Sequence, residues 1–404
     1  MDNSWNIYTI KELTEKVGMG PFGSSIKVET FVNSGIPVIS GAHLKGIKLE
    51  DNNYNFITID HADRLANANV YRGDVIFTHA GNIGAVAYIP SNSKYERYVL
   101  SQRQFYLRCN REKLLPEFIT YYFKSPFGQK KLLANTSSSG VPSISQPVTY
   151  LRSIEVEVPS IGEQEKIVTI LSSLDDKIEL NNKMNRTLES IAEAIFKHWF
   201  IGFQFPDSNH QDKNILPEGW NELPLVEQFN ITMGQSPPGE SYNEDEEGVL
   251  FFQGRSDFGF RFPSPRLYTK DPRRLANKFD TLVSVRAPVG DINMALDNCC
   301  VGRGLSSVIH KSGYSSYTYY FMRAVQSKLK QYDLDGTVFG SITKKNFQNI
   351  LGINPPDNLA RQFNDLVKPI DEKIYNNTLE NNRLITIRDM LLPKLITGQI
   401  QVNL

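Results

Sequence analysis

The amino-acid sequence contains the stretch "SLDDKIELNNKMNRTLESIAEAI", from Ser173 to Ile195, and nearly repeats it as "PIDEKIYNNTLENNRLITIRDML", from Pro369 to Leu391. A shift of 196 residues places Asp175 on Asp371. The same shift places the preceding "SIEVEVPS" on "NILGINPP". Self-similarity at a fixed spacing indicates a repeated structural unit. The chain is therefore predicted to be a tandem repeat in which a block and a helix occur twice.

Both stretches have the residue spacing of a coiled coil. Apolar residues recur at alternating intervals of four and three, and two asparagines interrupt each apolar stripe at the same place. A polar residue on such a seam fixes the register at a cost in stability. We therefore predict that the two helices pair with each other, rather than each lying as an amphipathic helix on its own block. The predicted seam consists of Leu174, Ile178, Asn181, Asn185, Leu188 and Ile195 in the first helix and Ile370, Ile374, Asn377, Asn381, Leu384 and Leu391 in the second.

The length of the linker predicts the direction of the pairing. Each helix of about 37 residues is roughly 55 Å long. In a parallel pair the 17-residue linker from Gly202 to Glu218 would have to span that distance, close to its maximum reach of about 58 Å. An antiparallel pair needs no such stretch. We predict two globular domains at opposite ends of an antiparallel two-helix coiled-coil spacer, related by pseudo-twofold symmetry.

The segments before each helix show the pattern of short strands. Apolar runs such as "DVIFT" and "TLVSV" are bounded by Gly, Pro, Asn and Asp, and a helical stretch such as "LPEFITYYFKS" interrupts them. Each block is predicted to be α+β, built on a mixed or antiparallel sheet. The predicted organisation is a first block at 1–157, a first spacer helix at 158–203, a second block at 204–355, and a second spacer helix with a C-terminal tail at 356–404.

Charge and cysteine content limit the classes of partner. Lys plus Arg equals Asp plus Glu, 44 each, but residues 255–345 hold 15 basic and 7 acidic side chains. This excess favours phosphate contact by the blocks, although ordinary surface charge explains the count equally well. The three cysteines show no CxxC or metal-ligand spacing, and no apolar run is long enough to span a membrane. We expect a cytoplasmic protein without membrane contact.

Two motifs suggest catalysis or cofactor binding but lack the required context. "GMGPFG" at Gly18–Gly23 fits a dinucleotide loop, yet the following "SSIKVETFV" reads as a strand where a helix is needed. "NPPD" at Asn354–Asp357 resembles the Asn-Pro-Pro-aromatic motif of amino-methyltransferases, but Asp357 stands in place of the aromatic residue. A Pro-rich helix N-terminus explains it better. The sequence contains no recognisable catalytic constellation, and we predict a non-catalytic chain.

Four features together resemble one family: the block–helix–block–helix order, the pair "LDDKI" and "IDEKI", the "LPEGW" that opens the second block, and the C-terminal "LLPKLITGQI". On these features the chain resembles the specificity subunit of type I restriction–modification systems over essentially all 404 residues. The resemblance implies two target recognition domains, each reading one half of a bipartite site in double-stranded DNA. It also implies two methyltransferase (modification) subunits and restriction subunits as partners. S-adenosylmethionine would be bound by the modification subunits, ATP and Mg²⁺ would be needed by the restriction subunits, and this chain would bind no cofactor.

Candidate DNA contacts are the side chains that suit base edges and phosphates. Arg reads guanine and Asn or Gln reads adenine through paired hydrogen bonds in the major groove. The candidates are Lys27, His43, Lys45, Lys48, His79, Asn82, Arg103 and Ser138 in the first block and Gln235, Gln253, Arg255, Arg266, Arg286, Arg303 and Lys344 in the second. Two other classes remain open, a self-contained DNA methyltransferase and a coiled-coil adaptor that binds no nucleic acid.

Overall fold

The structure is a computed structural model, and it describes residues 5–402 except residues 24, 138–139, 209, 211, 213–214 and 335–339. The chain forms two compact units. The first unit contains the described residues up to Ile178 and from Asn382 onwards, and the second contains residues 179–381. Both borders fall inside long helices, so each unit consists of one block together with parts of both helices.

The first unit contains short strands, four short helices and the beginning of a long helix. Its strands are β1 (Asn6–Thr9), β2 (Thr14–Met19), β3 (Ile36–Ile39), β4 (Asn55–Ile57), β5 (Asn69–Tyr71), β6 (Asp74–Thr78), β7 (Val86–Tyr88), β8 (Arg97–Leu100), β9 (Gln104–Cys109), β10 (Thr136–Ser137), β11 (Ser143–Ile144) and β12 (Glu155–Val158). Its helices are α1 (Ile59–Arg64), α2 (Pro116–Lys124), α3 (Pro126–Leu133) and α4 (Pro147–Ser153), after which the long helix α5 (Ile161–Phe196) begins. One four-stranded sheet is antiparallel, in the order β2-β9-β6-β7, and a second is mixed, in the order β4-β3-β8-β5 with β3 and β8 parallel.

The second unit is also built from short strands, short helices and segments of the long helices, in a similar but not identical order. Its strands are β13 (Asn221–Pro224), β14 (Phe229–Met233), β15 (Tyr242–Asn243), β16 (Val249–Phe252), β17 (Leu267–Thr269), β18 (Leu275–Ala276), β19 (Thr281–Ser284), β20 (Ile292–Met294), β21 (Cys299–Val301), β22 (Leu305–His310) and β23 (Leu351–Asn354). Its helices are α6 (Leu225–Gln228), α7 (Ser315–Ala324), α8 (Gln326–Leu334), α9 (Lys344–Asn349) and the long helix α10 (Asp357–Ile396). An antiparallel sheet β14-β22-β19-β20 and a mixed sheet β15-β17-β16-β21-β18 confirm the prediction of α+β blocks.

The backbone of the two blocks repeats down to single hydrogen bonds. Gly84 N donates to Thr78 O at 3.2 Å, and 206 residues later Gly290 N donates to Ser284 O at 2.9 Å. Both glycines have a positive φ, 83° and 88°, which residues with a Cβ rarely adopt. The loop that follows β6 and the loop that follows β19 are therefore closed by the same backbone hydrogen bond.

The two long helices are antiparallel. Asn181 contacts Asn381, and Asn185 contacts Asn377, so residue numbers rise along α5 as they fall along α10. After Phe196, α5 continues into a π-helical turn at Lys197–Ile201. The predicted antiparallel helix pair is confirmed.

One local prediction was wrong. The pattern of "SSIKVETFV" predicts a strand, but its described residues contain a 3-10 turn at Val28–Thr30. Thr30 Oγ1 donates to Lys27 O at 2.7 Å and accepts from Lys27 N at 3.2 Å. A hydroxyl that bonds the nearby backbone favours a turn over a strand ladder.

Among the described residues, none of the helices combines the length and apolar character that crossing a bilayer requires.

Candidate nucleic-acid interface

Backbone hydrogen bonds join three loops of the first block. His79, just after β6, donates its N–H to Arg103 O at 3.0 Å in the loop between β8 and β9. Ile144 N of β11 donates to His79 O at 2.8 Å, and Gly81 N donates to Pro142 O, just before β11, at 3.1 Å. Asn82 and Arg103 are exposed on these loops, whereas His79 is half-buried. Ser138 lies outside the described residues.

A cavity of about 360 Å³ lies beside one of these loops, the one between β8 and β9. Three predicted DNA contacts, His43, Lys45 and Arg103, line it, and Lys27 is exposed next to Ile26 in its wall. The structure therefore brings these candidates together although they are far apart in the sequence. Further polar groups in the wall are Ser40, Asn52, Asn53, Asn55, Ser101 and Gln102.

Two first-block candidates already have partners within the protein. His43 is buried, its Nδ1 accepts a hydrogen bond from Ser40 N at 2.9 Å, and its ring stacks on Tyr54 at 4.4 Å between centroids. Burial lowers the pKa of His43 below its ordinary value of 6.5, so the ring is neutral at pH 7. Lys48 Nζ lies 2.5 Å from a carboxylate oxygen of Asp176 on α5. Lys48 therefore contacts a long helix.

In the second block the structure brings Gln235, Gln253 and Arg303 together. Gln235 N donates to Val301 O at 2.9 Å, and Gly304 N donates to Gln253 O at 3.1 Å. The side chains of all three candidates are exposed. The short turn between β21 and β22, which carries Arg303, is thus bonded to two neighbouring loops.

Two further basic candidates lie on loops that join this set. Val285 N donates to Gly304 O at 2.9 Å, and the next residue, Arg286, forms an antiparallel bridge with Ser341. Lys344 begins α9 three residues later. Both basic side chains are exposed. We call this set the second-block loops, which are residues 234–236, 253–255, 285–290, 301–304 and 340–344.

The remaining candidates, Arg255 and Arg266, are exposed but paired with carboxylates. An Arg255 nitrogen lies 2.5 Å from Asp291, and Arg266 Nε lies 3.1 Å from Asp257. The pair of Arg255 with Asp291 is partly exposed, and such pairs contribute little net free energy. The Asp257 side chain is only 7% exposed, so separating its carboxylate from Arg266 costs more.

The twelve predicted seam residues are all buried or partly buried. Asn181 Nδ2 donates to Asn381 Oδ1 at 2.9 Å, and Asn377 Nδ2 donates to Asn185 Oδ1 at 2.8 Å. The repeat shift converts the first of these bonds into the second, including the direction of donation. Both bonds lie within the second unit and obey a local twofold relation.

Comparison with known proteins assigns the family. The model for the type I restriction modification DNA specificity domain matches residues 3–190. The putative type I restriction enzyme MjaX specificity subunit of Methanocaldococcus jannaschii is 30% identical over 99% of this chain and 94% of its own length. The chain belongs to the family of type I restriction–modification specificity subunits. The MjaIX specificity subunit of the same organism is 26% identical over 99% of this chain and 94% of its own length.

A solved structure supports the same fold for this specificity subunit. This is the S subunit of a type I restriction–modification system from M. genitalium. Its alignment covers 100% of this chain and 97% of the M. genitalium chain, with a TM-score of 0.64 and 18% identity. A specificity subunit is the component that recognises the DNA sequence, and it is not the catalytic component. The predictions of family and of a DNA-recognition role are confirmed.

The "NPPD" motif of the specificity subunit is a strand–helix junction. Asn354 ends β23 and Asp357 begins α10. The Asp357 carboxylate accepts hydrogen bonds from Ser312 Oγ at 3.1 Å and Tyr314 OH at 2.9 Å. Asp357 is thus engaged in local packing at the helix N-terminus, where a negative charge is favourable.

In the part of the chain that the structure describes, no cluster of His, Cys, Asp and Glu is arranged to hold a metal ion.

Sequence reasoning missed the polar wall of the first-block cavity. Asn52, Asn53 and Asn55 belong to "DNNYN", an asparagine-rich run that could have been recognised as a turn rich in base-reading side chains. It also missed Arg261, which is buried and contacts both long helices. No local spacing marks this arginine, because its partners are distant in the sequence.

Proposed function

We propose that this specificity subunit reads a DNA site in two parts. Residues 1–157 form one target recognition domain and residues 204–355 the other. The helical segments 158–203 and 356–404 set the gap between the two half-sites. The main support is a single observation: one backbone framework of joined loops occurs twice in the chain with different side chains.

Pairs of equivalent positions illustrate this difference. The bond from His79 N to Arg103 O recurs as the bond from Val285 N to Gly304 O, so Arg103 corresponds to Gly304 and Gln102 to Arg303. Each block thus offers an arginine in this turn, but at neighbouring positions. The bridge of Ala80 with Ser143 recurs as the bridge of Arg286 with Ser341, so an apolar methyl in one block is replaced by a guanidinium in the other. Two frameworks with different side chains suit two unrelated half-sites.

The proposed contacts act by direct and phosphate readout. Guanine offers two acceptors to an arginine in the major groove, adenine pairs with Asn or Gln, and lysines suit phosphates. We assign this role to Lys27, His43, Lys45, Lys48, His79, Asn82, Arg103, Ser138, Gln235, Gln253, Arg255, Arg266, Arg286, Arg303 and Lys344. Among these, the exposed side chains of Arg103, Gln253 and Arg303 are the first to test.

The proposed assembly follows the family resemblance. Two modification subunits dock on the spacer region and bind S-adenosylmethionine, and restriction subunits that need ATP and Mg²⁺ complete the complex. The specificity subunit itself binds no cofactor and acts in the cytoplasm. The exposed apolar residues Leu180 and Ile191 on α5 and Met390 on α10 are consistent with protein contact along the helices.

Block exchange tests the proposal. The full chain would be expressed with its modification subunits in a host that lacks other methyltransferases, and methylated adenines would be mapped by sequencing. Replacing residues 1–157 with the corresponding block of another family member should change one half of the methylated site and leave the other half and the gap unchanged. Replacing residues 204–355 is the reciprocal control. A change in both halves, or in neither, would contradict two-part reading.

A further inference from the structure

A fully buried arginine joins the second block to both long helices. Arg261 is 1% exposed. Its Nη1 lies 3.1 Å from Glu189 Oε1 on α5, and its Nη2 contacts Asp371 Oδ1 on α10. The guanidinium is planar and forked, so one side chain holds two carboxylates in a fixed geometry. All three residues lie within the second unit.

Aromatic and charged groups complete the site. The Arg261 guanidinium lies 3.5 Å from the centroid of the Tyr319 ring, a cation–π distance. Tyr319 OH donates to Glu189 at 3.1 Å, and Tyr320 OH donates to Asp371 at 3.3 Å. Arg323 lies 2.9 Å from the same Glu189 oxygen. The block therefore contacts the two carboxylates through two arginines and two tyrosines.

Electrostatics keeps the arginine charged. Burial by itself lowers the pKa of the Arg261 guanidinium, but the nearby Asp371, Tyr319, Tyr320 and Glu189 raise it above its ordinary value. Burial raises the pKa of Asp371, and the arginine opposes that effect. A buried ion pair is in general a weak source of stability compared with apolar packing, and its best attested use is to specify one arrangement.

Arg261 lies on the same loop as proposed DNA contacts. The loop runs from the 3-10 turn Arg255–Asp257 to β17. Phe258 bridges to Pro263, and Met294 N donates to Arg261 O at 2.9 Å, so the backbone around the arginine is fixed on β20. Arg255 precedes the anchor and Arg266 follows it. Rotation of this loop relative to the helices would break both carboxylate contacts at once.

The equivalent site of the first unit is built differently. Asp175, the counterpart of Asp371, accepts hydrogen bonds from Arg388 of α10 and from Tyr121, each at 2.7 Å. Its arginine thus comes from a helix and not from a block. A lysine of the first block, Lys48, contacts α5 at Asp176, but that ion pair is exposed. The buried two-helix anchor is a feature of the second block.

We propose that Arg261 is a positioning residue for DNA recognition. Through Glu189 and Asp371 it fixes the orientation of the loop that carries Arg255 and Arg266 relative to the two helices. This fixed orientation narrows the range of gap lengths that the chain accepts between the two half-sites. This inference rests on the proposed two-part reading. It separates two roles on one loop, because Arg255 and Arg266 would contact DNA, whereas Arg261 would orient them.

The test uses the full chain with its modification subunits. The methylated site is first mapped in host DNA, and duplexes are then made with the mapped gap and with the gap changed by one base pair.

Arg261→Met alone would leave two buried carboxylates without a counter-charge. The main variant therefore combines Arg261→Met with Glu189→Gln and Asp371→Asn, which removes the charges while preserving side-chain size. Arg261→Lys is the second variant, because it keeps the charge but loses the fork. Glu179→Gln with Lys183→Met, which removes an exposed ion pair on α5, is the matched control.

The readout is the ratio of methylation rates on the mapped gap and on the altered gap. We expect the triple variant to lower this ratio about tenfold, the scale of one lost base contact. Its preference for the bases of the first half-site should not change. Arg261→Lys should lower the ratio to an intermediate degree, and the control should match the wild type.

Two kinds of result would overturn the inference. The first overturns the role of Arg261 alone, and the second also overturns the proposed two-part reading. A triple variant that unfolds cooperatively, binds the modification subunits and keeps the wild-type ratio shows that the anchor is only structural. If the triple variant does not fold, an unchanged ratio for Arg261→Lys leads to the same conclusion. A wild-type complex that methylates regardless of the gap would overturn the proposed two-part reading itself.

Discussion

At the residue scale, Asp51 shows how one side chain shapes the first-block cavity. Its carboxylate accepts hydrogen bonds from Ser93 Oγ at 2.7 Å, Lys94 N at 2.8 Å, Tyr98 OH at 2.6 Å and Tyr54 OH at 3.1 Å. Burial alone would raise the pKa of Asp51, but these hydrogen bonds hold it below its ordinary value of 3.8. The residues that follow Asp51 form part of the cavity wall, so this carboxylate positions them.

Asp51→Asn should destabilise the first block. Loss of charge weakens four hydrogen bonds, and we expect a cost of about 2 kcal/mol, or a thermal midpoint lower by roughly 4–8 °C. The pKa of Asp51 is lower in the folded state than its ordinary value of 3.8. The charged carboxylate therefore stabilises the folded state fully above pH 3.8, and this stabilisation is lost as the pH falls towards the lowered pKa. The difference between variant and wild type should therefore shrink in acid. A difference that grows in acid would contradict this account, and Asp60→Asn, an exposed carboxylate on α1, is the control.

Arg103 and Arg303 allow a matched test of base reading. If each reads a guanine, Arg303→Ala should cost about 1–3 kcal/mol in binding and relax one base of the second half-site only. Arg103→Ala should do the same in the first half-site. Competition binding of the complex against single-base variants of the mapped site measures both effects. A loss that is uniform over all sequences would indicate phosphate contact instead, and Arg273→Ala, which removes an exposed pair with Asp271, should have little effect.

At the element scale, the long helices combine apolar packing with an internal polar layer. The two asparagine pairs, Asn181 with Asn381 and Asn185 with Asn377, are buried between helices of 36 and 40 residues. Buried amides without partners are costly, so only a register that pairs them is favourable. An antiparallel register shifted by one heptad would separate these pairs and place most of the amides against apolar side chains. The polar layer therefore selects one alignment of α5 and α10.

Single and double replacements in this layer should have opposite effects. Asn181→Leu removes the donor to Asn381 Oδ1 and should lower the free energy of unfolding by about 1–3 kcal/mol. Combining it with Asn381→Leu removes both buried amides and should restore or exceed wild-type stability while loosening the register. Thermal unfolding of the two single variants and the double variant gives the coupling energy. Additive losses would contradict the pairing, and Asn376→Leu on an exposed face is the control.

At the scale of the whole molecule, each block is built onto both helices. The core of the first unit contains Ile167 and Leu171 of α5 and Leu395 of α10. The core of the second unit contains Phe196 of α5 and Phe363 of α10. A block that shares its core with both helices cannot turn independently of them. This packing supports the proposal that the helices determine the spacing of the half-sites.

Deleting one heptad from both helices, at positions 196 residues apart, tests this role. Seven residues of helix correspond to about 10 Å, and DNA rises about 3.4 Å per base pair. The methylated site of the complex should therefore have a gap about three base pairs shorter, with the same half-site bases. Inserting a heptad into both helices should lengthen the gap by a similar amount. Altered half-site bases with an unchanged gap would show that the helices do not set the spacing.

The prediction of the long helices succeeded because its signal is local. The spacing of Leu174, Ile178 and Asn181 places them on one face of a single helix, and a helical face is determined by residues three and four apart. The second copy, 196 residues later, provided the partner. The prediction for "SSIKVETFV" failed for a local reason as well, because the hydrogen bonds of Thr30 to Lys27 outweighed the alternating pattern.

The sequence by itself determined the duplication, the heptad seams, the α+β blocks and the family, since each rests on spacing or on matching within the chain. Only the tertiary structure decided which loops meet. The parallel pairing of β3 with β8 and the bond from His79 to Arg103 join residues that no periodicity relates. Arg261 reaches Asp371 across 110 residues of chain. Such contacts arise from the packing of whole elements, because a loop's position is set by the strands and helices it connects and not by its own sequence.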